Sequence, residues 1–183
     1  MIVCVGASAS GKTQLAKTLY QKYGYQKCVT TTTREKRDGE IDGIDYHFVS
    51  KQTFLNLQKE NAFFEASQYH NHLYGIQKKD VHKNGIVIVE PDGANTLIKQ
   101  LANDIFVVYV KTSEALRIER MTKRNDDPLI IEQRIKNDQN IFNESNLNRI
   151  DLTITNESKT LEELARFVNH SYQRYIKNQE KEK

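Results

Sequence analysis

Tryptophan is absent from this chain, and proline and cysteine occur only twice each among its 183 residues. So little proline excludes a polyproline stalk or linker. Two cysteines far apart, Cys4 and Cys28, make neither a disulfide framework nor a metal cluster and read as small buried residues. No apolar run approaches the roughly 20 residues that span a bilayer. The apolar residues at the start lead directly into a motif, so no leader segment is expected, and the cytoplasm is the expected location. A concentrated basic tract is missing too. The net charge of +3 is mild and spread along the chain, which argues against a nucleic-acid surface. The histidines His47, His70, His72, His82 and His170 share no ligand spacing suited to zinc, and the nuclease-like string "HNH" at 70–72 reads as accidental. There is no repeat and no low-complexity tract, apart from a closing "KNQEKEK" that reads as a frayed helix end or tail. A chain of this length builds one core, with room for attached lobes but not for two ordinary domains.

What is present begins at once, in "VGASASGKTQLAKTLY". The segment Gly6, Ala7, Ser8, Ala9, Ser10, Gly11, Lys12, Thr13 fits Gly-x-x-x-x-Gly-Lys-Thr, a pattern that chance supplies in roughly one chain in a hundred of this length. Its surroundings therefore decide the matter. "MIVCV" before it is a short β-branched apolar run, and after it Leu15, Ala16, Leu19 and Tyr23 share one helical face that stops at Gly24. Strand, loop, helix aims backbone N–H groups and a helix N-terminus at one point, which suits a phosphate. Glycines let the backbone approach the anion, Lys12 brings charge to the outer phosphates, and the Thr13 hydroxyl can ligate magnesium.

Further along, "QKCVTTTTR" and "YHFVS" read as strands, "KQTFLNLQKENAF" as a helix with Phe54, Leu57 and Asn61 on one face, and "GIVIVE" and "DIFVVYV" as parallel strands buried on both faces. "GANTLIKQLA" is a crossover helix. "SEALRIERMTKRNDDPLIIEQRIKNDQNIF" reads as helix, basic loop, helix; "RIDLTIT" is a strand and "TLEELARFVNHSYQRYI" a final amphipathic helix. Alternating strands and helices predict an α/β domain with a mostly parallel sheet, interrupted over about 30–82 by an inserted lobe. Within that lobe Arg34 and Arg37 could grip a phosphate dianion with planar donors, or could join Glu40 and Asp45 in a surface salt-bridge lattice.

The stretch "TTTREKRDGEIDGIDYHFVS" followed by "FFEASQYHNHLYG" resembles guanylate kinase, through Thr32, Thr33, Arg34, Arg37, Gly39, Glu40, Gly43, Asp45, Tyr46 and Phe48, then Glu65, Tyr74 and Gly75. The likeness extends to "TITNE" at 153–157. It implies a P-loop type parallel sheet flanked by helices (about 1–29, 83–120 and 135–183), a mixed α/β nucleoside monophosphate lobe (about 30–82) and a helical lid (about 121–134), the lobe and lid swinging together over bound nucleotides. It also implies transfer of a phosphoryl group from ATP, with magnesium held at Thr13, to GMP or dGMP. Lys12, Arg34, Arg120, Arg124 and Arg134 would be the catalytic charges; the loop residues and Asn156 would bind ATP; Thr30, Arg34, Arg37, Tyr46, Glu65, Tyr74 and Glu90 would bind the acceptor. Of these, Glu65 can accept from guanine N1–H and the exocyclic amine together. A monomer or homodimer without nucleic-acid or membrane partners is expected.

Some positions depart from the family's pattern. Ala9 stands where glycine is usual, which a cradle tolerates if that residue keeps an ordinary helical or extended backbone. Ile88, Glu90 and Asp92 replace two aspartates and a glutamine, and Ile76 replaces a hydroxyl residue beside the base. These motivate two rival readings: a kinase of the same fold with another acceptor, either another nucleotide or a ribosyl phosphate, and a binding module that has lost catalysis.

Overall fold

The structure, a computed structural model, describes residues 1–69 and 71–181. His70 of the "HNH" string and the last two residues of the closing charged stretch lie outside the described residues. In chain order the elements are β1 (Ile2–Val5), α1 (Lys12–Tyr23), β2 (Gln26–Lys27), β3 (Thr30–Thr32), β4 (His47–Phe48), α2 (Lys51–Lys59), β5 (Phe63–Tyr69) and β6 (His72–Gln77). Then follow β7 (Gly85–Ile88), α3 (Pro91–Leu101), β8 (Phe106–Lys111), α4 (Glu114–Lys123), α5 (Pro128–Ile141), β9 (Leu152–Thr155) and α6 (Leu161–Lys181).

Five strands form a parallel sheet in the order β2-β7-β1-β8-β9. Its central strands are continuous apolar runs because helices cover both faces. Ile2, Cys4, Phe106 and Val108 point to the side closed by Leu15 and Leu19 of α1 and Leu164 and Val168 of α6. Val3, Val5, Val107 and Tyr109 point to the side closed by Ala94 and Leu97 of α3 and by Phe142. Both cysteines are buried as free thiols, and no helix among the described residues is long and apolar enough to cross a membrane. β1 lies between β7 and β8, so its carboxyl end opens where the strand order reverses, and α/β sheets form their ligand crevice there.

A second, four-stranded sheet runs β4-β3-β6-β5, with β3 and β4 parallel and the other pairs antiparallel. Two expectations need revision. "QKCVTTTTR" is not one strand: Gln26 and Lys27 pair with β7, whereas Thr30 pairs with Ile76, so the chain changes sheets at residues 28–29. The helix expected through Asn61 ends at Lys59, and Asn61 turns the chain with a left-handed φ of 54° before β5. Nor does the sequence reading assign strands to 63–77, where β5 and β6 form a hairpin.

Candidate active site

The loop after β1 wraps around its own lysine. Lys12 Nζ donates to Gly6 O (2.5 Å) and Ala7 O (2.8 Å), and with these carbonyls around it the ammonium stands 5.8 Å from the centre of the Phe142 ring. Burial lowers its pKa to about 8, opposed by the Asp138 carboxylate. Ser10 N bonds back to Ala7 O, and Gly11, at φ 96°, presses against Asn156, so that a Cβ there would meet Asn156 Nδ2 at 2.1 Å. Ala9 does not keep an ordinary backbone: its φ is 59°, a left-handed conformation that costs an L-residue roughly 1–2 kcal/mol. The condition on which alanine was acceptable there is therefore not met, and the loop carries strain that glycine would not.

Thr13 sits exposed on the first turn of α1, facing a cavity of about 1050 Å³. Ile88 contributes no oxygen to that cavity, and among the described residues no group of His, Cys, Asp and Glu could hold a metal ion. One hydroxyl is a donor set suited to a hard cation whose other ligands arrive with nucleotide phosphates.

Across the cavity stand Arg34, Arg37, Tyr46 and Tyr74. Arg34 donates from Nη2 to both Glu40 oxygens (2.7 and 3.0 Å), and its guanidinium lies over the Tyr46 ring at 5.3 Å. Asp45 instead faces Lys27 and accepts from Ile41 N, so the acids and arginines here are not one lattice. Burial lowers the Arg37 pKa, and Arg34 and Arg134 add to that, which places arginines of the second sheet and of α5 within each other's field. Arg124 and Arg134 share Asp126, each at 2.8 Å. Arg120 donates to Ala9 O and Asn156 O, while Asn156 Nδ2 donates to Ser10 O at 2.8 Å; both residues line the cavity and support the loop at once.

A smaller cavity of about 160 Å³ adjoins the first and shares Lys12, Thr30, Tyr46, Tyr74 and Ile88 with it. Glu65 and Glu90 close its far side. Glu65 is 4% exposed, and among the described residues its Oε1 is the one buried side-chain polar atom with no hydrogen-bond partner. Burial raises its pKa to about 7 against a hydrogen bond from Ser67; burial and then Glu65 raise Glu90 to about 8. A Cβ at position 93 would come within 2.5 Å of Glu65 Oε1, so Gly93 leaves the carboxylate its place. Ile76 is wholly buried in the apolar core.

The sequence reading missed a group behind the loop. Asp138 on α5 is 1% exposed and accepts from Ser8 N (2.7 Å), Tyr69 Oη (2.8 Å) and Arg117 Nη2 (2.5 Å); Arg117 Nε donates in turn to Ser8 O (2.8 Å). Thus the Ser8 N–H faces a protein carboxylate rather than the cavity.

Comparison with known proteins assigns the chain to a family. The sequence model of the family described as guanylate kinase matches residues 1–171. A guanylate kinase of Mycoplasma genitalium is 32% identical over 176 residues, covering 90% of this chain and 72% of the relative. One of Wolbachia pipientis is 30% identical over 180 residues, covering 92% and 89%. The crystal structure of guanylate kinase from Anaplasma phagocytophilum shares the fold with a TM-score of 0.71, at 21% identity, over 94% of this chain and 84% of that one. A phosphate loop facing a ring of arginines, on a fold and a sequence matched over nearly its whole length, makes this chain a member of the guanylate kinase family and a phosphotransferase.

Proposed function

We propose that the protein transfers the γ-phosphoryl group of ATP to GMP or dGMP in the cytoplasm, giving GDP or dGDP and ADP. The observation that carries this reading is the pair of adjoining cavities: Lys12 and Thr13 face Arg34, Arg37 and Tyr46 in one, and the buried carboxyl of Glu65, with an unpartnered oxygen, and the half-buried one of Glu90 line the other. A guanine edge offers N1–H and an amine side by side, and Glu65 with Glu90 is a matching acceptor pair. Thr30 lines the same cavity, where its hydroxyl would meet O6. Arg34, Arg37, Tyr46 and Tyr74 would hold the acceptor phosphate, whose oxygen attacks the γ-phosphorus as the bond to the bridging β–γ oxygen breaks and ADP leaves.

Lys12, Arg120, Arg124 and Arg134 would neutralise charge on the transferring oxygens, and the first turn of α1 would receive the donor phosphates. Thr13 would hold magnesium, which would supply further positive charge against the donor phosphates. Residues 30–82 form the acceptor lobe in this reading and 121–134 the lid. Ile76 lies in the core and brings no polar group to the base, which favours a second reading in which the acceptor is another nucleotide or a ribosyl phosphate. ADP release measured with GMP, dGMP, AMP, UMP, CMP and ribose bisphosphate separates them: turnover with GMP or dGMP at least about ten-fold above the other acceptors is expected, and preference for any other acceptor overturns the first reading.

A further inference from the structure

Every backbone polar group that Ser8 offers is taken by a side chain from outside the loop. Its N–H donates to Asp138 of α5 and its carbonyl accepts from Arg117 of α4, while its hydroxyl meets Tyr69 Oη of β5 at 3.2 Å. Tyr69 also donates to Asp138, and Arg117 closes the ring with its ion pair to Asp138, whose side chain is wholly buried. Three elements that reach the two edges of the cavity therefore meet at one loop residue four positions before Lys12. A buried ion pair seldom stabilises a fold better than apolar residues of the same size would, so its use here calls for another role.

We propose that Asp138 and Arg117 are positioning residues of the phosphate loop. By gripping Ser8 from both sides they fix the curvature of residues 6–11, keep the strained Ala9 conformation from relaxing, and hold Lys12 aimed at the donor phosphates. The inference rests on the reading of this loop as the donor site. Lys12 is wrapped by the Gly6 and Ala7 carbonyls and the Ser10 hydroxyl, so the direction of its ammonium follows the loop curvature that the grip on Ser8 sets.

The test is ADP affinity by titration without added divalent cation, alongside kcat and KM for GMP, each on protein shown to be folded by circular dichroism. In Asp138→Asn, ADP affinity and kcat should each fall about ten-fold while the KM for GMP stays within about two-fold, because the acceptor residues lie elsewhere. Asp138→Asn leaves Arg117 buried without its partner and can unfold the chain. The paired variant Arg117→Met with Asp138→Leu removes both charges, should fold, and should show the same split between ADP affinity and the KM for GMP. Unchanged ADP affinity in whichever variant folds, or an equal loss on the ADP and GMP sides, overturns the proposal. Wild-type protein that binds ADP but turns over no GMP refutes the acceptor reading and leaves the ADP test of the brace intact; wild-type protein that binds no ADP refutes both.

Discussion

Glu65 is the side chain whose surroundings most constrain what it meets. On the proposed reading Glu65→Gln replaces one acceptor by a donor that faces the donors of guanine, and leaving such a group unpaired costs about 1–3 kcal/mol, or roughly ten- to a hundred-fold in acceptor kcat/KM. The KM for ATP should not change, and a steady-state titration of each substrate checks both. The pKa values of about 7 for Glu65 and about 8 for Glu90 set two opposite pH trends. Both are raised above the ordinary 4.5, so over roughly pH 4.5 to 8 the folded chain holds protons that the unfolded chain has released, and stability from these groups falls as pH rises. Acceptor binding needs carboxylates and should strengthen through pH 7 to 8. Urea midpoints and acceptor kcat/KM measured from pH 6 to 8.5 should therefore run in opposite directions, with a shallower stability slope in Glu65→Gln. Ala9 gives a second case. Ala9→Gly relieves a left-handed alanine at φ 59° and should raise stability by about 1 kcal/mol in urea unfolding.

Among the elements, α5 shows how a boundary readable in sequence acquires a use in space. Asp127 accepts from Leu129 N (2.8 Å) and Ile130 N (3.4 Å), and Pro128 follows at the first helical position, so "DDP" is a helix start written in the chain. Asp127→Ala should lower stability by about 1 kcal/mol, seen as a lower thermal midpoint, and it should blur the placing of Arg134 about two turns further on. The same kind of local signal made most of the core legible. "GIVIVE" and "DIFVVYV" are apolar throughout because both their faces are covered, and Gly24 ends α1 where the periodic face stops. Arg34, Arg37 and Glu65 were readable only through the family's pattern, since arginines beside acids and a lone glutamate have many uses. The Arg117 and Asp138 pair had no such signal. The charges of "LRIER" and "IKNDQ" are of the kind any solvated helix face carries, and only the packing of α4 against α5 turns one charge from each into the same dry space. The backbone of Ala9 was equally hidden, because its conformation is imposed by neighbours and not by its own preference.

At the scale of the molecule, the second sheet is not equally free along its width. β5 is tied down: Gln100 of α3 donates to Phe64 O at 2.9 Å, Glu65 lies against Gly93, and Tyr69 reaches Asp138. The segment 33–49 on the other side is held by its own contacts, such as Arg34 to Glu40 and Phe48 N to Asp42, and reaches the five-stranded sheet through the flexible side chain of Lys27, which donates to Asp45 O. On the proposed reading, the expected swing of the lobe would be confined to its far side and to 121–134, where arginines from both would converge on one phosphate chain. Probes at the exposed Ile44 and Leu129 should draw together when GMP and a non-hydrolysable ATP analogue bind, while probes at Ala66 and Lys99 keep their distance; equal movement of both pairs would contradict this. On the proposed reading, a pinned β5 would also mean that the seat for the base is finished before anything closes. Guanosine, with no phosphate for the arginines to hold, should then lodge there as a dead-end occupant, competing with GMP while leaving the Ile44 and Leu129 probes apart. Recognition of the base and commitment to transfer would be separate events, divided by one phosphate group.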